Sequence, residues 1–122
     1  MDTNIDHGKL LFSEKFEQEN NLIVNKDDII KEIREVYDPE IPVNIYELGL
    51  IYKIDISDNH EVKIIMTLTS PNCPAAQSLP EDLIDRVKTV KGIKGLSLYL
   101  TFDPPWKPDM MSEEAKLALG IE

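Results

Sequence analysis

The chain has 122 residues, 42% hydrophobic and 30% charged, which is material for one ordinary globular domain and little more. Its 23 acidic side chains outweigh 13 basic ones for a formal charge of -10, so phosphate backbones and anionic headgroups are repelled and neither nucleic acid nor membrane is an expected partner. A single cysteine excludes an intrachain disulfide, no basic and apolar leader opens the chain, and no apolar run approaches the roughly 20 residues that span a bilayer; a soluble, cytoplasmic protein is expected.

Residues 1–25 read as an acidic, partly disordered tail carrying Asp2, Asp6, Glu14, Glu17 and Glu19. Phe12 and Phe16, four apart, allow at most a short helix over 10–19. The domain proper is expected over 26–122. Asn25 caps a helix whose stripe is Ile29, Ile30, Ile33 and Val36, and Pro39 ends it by Tyr37. Pro39 and Pro42 then keep 38–43 extended. Leu50, Tyr52, Ile54 and Ile56 alternate as a strand, and Gly49 before them signals a bulge or a close backbone approach.

A polar turn over 57–60 leads to Val62, Ile64, Met66 and Leu68, so the two strands form a hairpin. Leu79, Leu83, Val87 and Val90 mark a second helix, with Ser78 and Glu81 spaced as a capping box and Pro80 in its first turn. Leu96, Leu98, Leu100 and Phe102 alternate as a third strand, parallel to the second because a helix crosses between them. The three prolines of 103–111 exclude regular structure there. A last helix runs from the Ser112 cap through Leu117 and Leu119 to a stop at Gly120. Helix, strand, strand, helix, strand, helix is the order of a small two-layer α+β domain, with helices packed on a mixed three-stranded sheet.

Three segments carry chemistry-bearing residues. In Ser70-Pro71-Asn72-Cys73-Pro74-Ala75 a thiol precedes a proline suited to a first helical position, which sets the sulfur at a helix N-terminus. The dipole there contributes about 0.3–1 kcal/mol, less than one pKa unit, so the thiol is usable without being strongly activated; a small buried hydrophobe is the alternative. His7 lies in the tail and His60 in the hairpin turn, about 25 Å from Cys73 along the second strand, so neither serves as a base for it. No zinc-ligand spacing or phosphate loop occurs. Asp38-Pro39-Glu40-Ile41-Pro42 presents two carboxylates on a stiff loop, unless Asp38 serves only the helix end and Glu40 is solvated. Thr67, on the strand leading to Cys73, offers a hydroxyl to a ligand or merely fills the strand. Asp103-Pro104-Pro105-Trp106 and the following Met110 and Met111 form either an adaptable contact loop or a lid over the core.

Together, Asp38-Pro39-Glu40-Ile41-Pro42-Val43-Asn44-Ile45, Leu48-Gly49-Leu50-Ile51-Tyr52, Met66-Thr67-Leu68-Thr69-Ser70-Pro71-Asn72-Cys73-Pro74 and Asp103-Pro104-Pro105-Trp106 resemble the SufT/PaaD-like domain of iron-sulfur cluster assembly. The resemblance covers about residues 26–122, and the stretch from Trp106 to Ala115 is most similar to the SufT branch. The additional C-terminal cysteines of PaaD proteins and the nucleotide-binding module of Mrp-type ATPases are absent from this chain. The resemblance implies a fold similar to the C-terminal domain of NifU-type scaffolds. It marks Asp38, Glu40, Thr67, Cys73 and Pro74 as the site, with Cys73 the metal-facing ligand and Asp103, Pro104, Pro105, Trp106 and Met110 an interaction loop. It implies a non-enzymatic accessory factor that handles an iron-sulfur cluster transiently, or docks apo-clients and the assembly machinery.

A cluster normally takes four thiolates. One chain supplies one, and a symmetric homodimer would supply two, so permanent storage is not expected. A thiol enzyme using Cys73 with Asp38 or Glu40 as base, and an adaptor with an inert cysteine, are the alternatives.

Overall fold

Ile29 and Ile33 lie one helical turn apart, and helix α1, Lys26–Ile33, buries both completely. Asn25 caps it by accepting from the Asp27 N–H at 2.7 Å, while Asp27 and Asp28 set carboxylates at the positive end of the helix dipole. The computed structural model describes residues 8–17, 22–38, 41–69 and 78–120. In it α1 stops at Ile33, because the chain must extend for Tyr37 to bridge Asn44 antiparallel. Residues 41–43, in a segment expected to run extended between its prolines, bend instead. The Asp38 N–H donates to the Val43 carbonyl at 3.4 Å and the Val43 N–H to the Ile41 carbonyl at 2.7 Å.

Asn44 then caps a one-turn helix, α2, Ile45–Leu48, by accepting from the Glu47 N–H at 2.9 Å. Four residues are too few to show a helical period, so this element was not expected. Arg34 beyond the end of α1 pairs with Glu47 at 3.0 Å and stacks on the Tyr46 ring at 5.0 Å, holding the two helices together. Gly49 ends α2 at φ 85, where a Cβ would run into the Met110 carbonyl. The close approach expected at this glycine is present.

The sheet has four strands, not three. β1, Lys9–Lys15, β2, Ile51–Ile56, β3, Glu61–Met66, and β4, Gly95–Leu100, lie in the order β1-β4-β3-β2. β3 and β4 are parallel and adjacent, while β1 pairs with β4 and β2 with β3 antiparallel. β1 comes from the stretch read as a tail with at most a short helix. Its side chains are exposed apart from a half-buried Phe12, so it has no apolar period to read. Backbone pairing to the free edge of β4 holds it, aided by Ser13 and Ser97 hydroxyls 3.1 Å apart, a Lys15–Glu61 ion pair and Phe16 against the core. A bulge between Leu10 and Phe12 and a lysine at each end blunt its outer edge against further pairing.

A second irregularity falls between Ile51 and Lys53 in β2, which pair with Met66 and Ile65 in succession. Tyr52 is therefore the extra residue, outside the Ile54 and Ile56 alternation in which it was placed. The β2–β3 turn closes as expected, with the Ser57 N–H donating to the Glu61 carbonyl at 2.9 Å.

Helix α3, Leu79–Val87, buries Leu79, Leu83 and Val87 with Pro80 in its first turn. The Ser78–Glu81 box does not form. Ser78 has helical backbone angles, φ -83 and ψ -11, and makes no side-chain cap bond, whereas a capping side chain requires an extended residue. A 3-10 turn, Pro108–Met110, interrupts the irregular 103–111 segment, and α4, Glu113–Ala118, starts where Ser112 accepts from the Ala115 N–H at 3.1 Å. Its buried residue is Ala115, while Leu117 is 73% exposed.

Side chains of α1 and α3 join Val62, Ile64, Met66, Leu96 and Leu98 in one core on one face of the sheet, the expected two-layer α+β arrangement. Truncating any of these large residues to alanine costs about 2–5 kcal/mol.

Candidate functional site

Parallel strands that are neighbours end side by side, so whatever follows β3 and whatever follows β4 leaves from the same end of the sheet. Met66 pairs with Leu100 at that end, and the Thr101 N–H donates to the Met66 carbonyl at 2.9 Å. Two stretches more than thirty residues apart in sequence, 67–69 and 101–103, thus begin together. Thr67 is fully buried: its N–H donates to the Leu50 carbonyl at 2.8 Å, and its hydroxyl donates to the Leu68 carbonyl at 3.4 Å. Thr101 is buried beside it and closes the next turn, its hydroxyl accepting from the Asp103 N–H at 3.1 Å.

The loop after β4 folds back over the junction between α2 and β2. The Trp106 indole N–H donates to the Leu48 carbonyl at 2.7 Å, and the half-buried ring packs on the core. The Tyr52 hydroxyl donates to the Pro104 carbonyl at 2.8 Å and lies 3.6 Å from the Met110 sulfur. The Ser112 N–H donates to the Glu47 carbonyl at 2.8 Å, and Met111 is buried. Of the two readings of this loop, the lid describes Trp106, Met110 and Met111, while Asp103, Pro104 and Pro105 stay exposed on its outer side.

Asp38 is 8% exposed, and its Oδ1 accepts from the Ile41 N–H at 3.0 Å, so the carboxylate closes its own loop. Glu40, Cys73 and Pro74 lie outside the described residues. Among the described residues, no group of three or more His, Cys, Asp or Glu is placed to hold a metal ion, and no helix is long and apolar enough to cross a membrane.

The structure adds Tyr52 to the sequence-derived set. Burial pushes its phenol above the ordinary value, against a hydrogen bond with the Thr67 side chain that lowers it. A tyrosine inside an alternating apolar strand reads as strand filling, and only the bulge turns it toward Thr67 and Pro104. The segments around Leu48–Tyr52, Thr67 and Asp103–Met110 therefore meet at one end of the sheet, and the 38–45 loop reaches them through α2.

A family model described as an iron-sulfur cluster assembly protein matches residues 26–97. A Porphyromonas gingivalis protein named Fe-S protein maturation auxiliary factor is 54% identical over 102 residues, spanning 84% of this chain and 97% of that protein. A Staphylococcus aureus protein named Fe-S protein maturation auxiliary factor SufT is 41% identical over 90 residues, spanning 70% of this chain and 98% of its relative. The crystal structure of a domain of unknown function from Bacillus anthracis is similar with a TM-score of 0.73 at 34% identity, covering 79% of this chain and 92% of that one.

Proposed function

The chain belongs to the iron-sulfur cluster assembly protein family, and we propose on that footing that it is a non-enzymatic accessory factor in the maturation of iron-sulfur proteins. The cluster is its cargo. One chain offers a single thiolate, Cys73, against the four that a cluster normally takes. The remaining ligands come from a donor or a client protein, and the cluster is handed on rather than kept. Cys73 is the residue that engages it, with Glu40 and Pro74 beside it in function.

The observation that carries this reading is the shared exit from β3 and β4. The strand leading to Cys73 and the strand leading to Trp106 end paired, at Met66 and Leu100, so the thiol-bearing segment and the proline-tryptophan loop are rooted on one rigid support. Asp38 supports the reading in a different way from a general base. With Oδ1 accepting from the Ile41 N–H, it keeps its loop closed.

In cells lacking the wild-type gene, Cys73→Ser at normal protein level should leave iron-sulfur enzymes under-loaded. Full loading by Cys73→Ser, together with a loss in Trp106→Ala, would instead select the adaptor with an inert cysteine. Anaerobic incubation with iron and sulfide, followed by absorption and metal counts on wild type and Cys73→Ala, reads the handling step itself.

A further inference from the structure

Tyr52 is the extra residue of the β2 irregularity, and a bulge re-aims the side chain that it carries. Here it turns the phenol away from the ladder and toward the loop that follows β4. Its hydroxyl donates to the Pro104 carbonyl at 2.8 Å and sits 3.6 Å from the Met110 sulfur, while the Leu50 carbonyl two residues before it accepts from the Thr67 N–H at 2.8 Å. Thr67 is the first residue beyond β3 and Pro104 the fourth beyond β4. The loop has two further ties nearby, the Trp106 indole on the Leu48 carbonyl and the Met110 backbone closing on Gly49. Those ties reach α2 and its C-terminal end. The Tyr52 hydroxyl ties the loop to the bulge of β2, next to the Leu50 carbonyl that accepts from the Thr67 N–H.

We propose that Tyr52 is a positioning residue for the candidate site: its hydroxyl holds the 103–111 loop on the bulge of β2, beside the end of β3, so that the loop is presented to a partner in one fixed place relative to that strand end. The functional half of this proposal rests on the maturation reading given above; the structural half does not.

Tyr52→Phe keeps the ring and removes the hydroxyl. In the full-length variant the Met110 and Met111 amides, which donate to the Lys107 and Pro108 carbonyls at 2.9 and 3.1 Å, should exchange with solvent about fivefold faster, the opening expected from losing one hydrogen bond. Emission of the single tryptophan should shift to longer wavelength. In cells, Tyr52→Phe should lower client loading severalfold at unchanged protein level. Loop exchange within twofold of wild type in Tyr52→Phe overturns the proposal, and so does a loosened loop with full client loading. If Cys73→Ser loads clients normally, the maturation reading falls, while the exchange measurement still decides whether Tyr52 holds the loop.

Discussion

Asp38 accepts from the Ile41 N–H and the Thr67 hydroxyl donates to the Leu68 carbonyl, so both side chains are bonded within the fold before any partner arrives. Buried polar groups left without such bonds cost about 1–3 kcal/mol each, which is why residues chosen from sequence as ligand-facing are found holding their own loops. Tyr52 carries a pH signature of the same kind. Burial raises its pKa above 10.0, so the folded chain holds the phenolic proton more tightly than the unfolded chain. Its contribution to stability is therefore complete below the unfolded value and is lost as pH rises through the folded one. As pH rises above 10.0 the urea midpoint of wild type should fall more steeply than that of Tyr52→Phe, and parallel slopes would remove Tyr52 as the source.

At the scale of elements, β1 is the instructive case. Helices α1 and α3 announce themselves by isoleucine and leucine stripes, because one face of each is pressed into the core. β1 buries little, and what stabilises it is the edge of β4, which no local pattern in 9–15 encodes. Deleting residues 1–17 is expected to uncover that edge, lower the denaturant midpoint and promote self-association at micromolar concentration, as an unpaired strand edge does. A truncated chain starting at Gln18 that stays monomeric and as stable as wild type would show that the 26–122 region stands alone. The one-turn helix α2 is the second case. Its Asn44 cap and Gly49 stop are both visible in sequence, but four residues between them carry no period.

For the whole molecule, the formal charge of -10 sets which partners approach readily. Neither duplex DNA nor anionic vesicles should bind measurably at about 0.15 M salt, where repulsion is screened over roughly 8 Å but not reversed. Saturable binding to either would contradict the partner class proposed here. The two-layer α+β class, the hairpin, the parallel relation of β3 and β4 and the family motifs were all legible in the residues themselves, because each rests on local period, turn chemistry or contiguous spacing. Tertiary structure alone decided that β1 completes the sheet, that the Asp38 carboxylate turns to the Ile41 N–H, that Leu117 faces out, and that a bulge sends Tyr52 to Pro104. Those outcomes depend on which strand edge is vacant and which backbone groups lie across from one another, and such facts exist only once distant parts of the chain have come together.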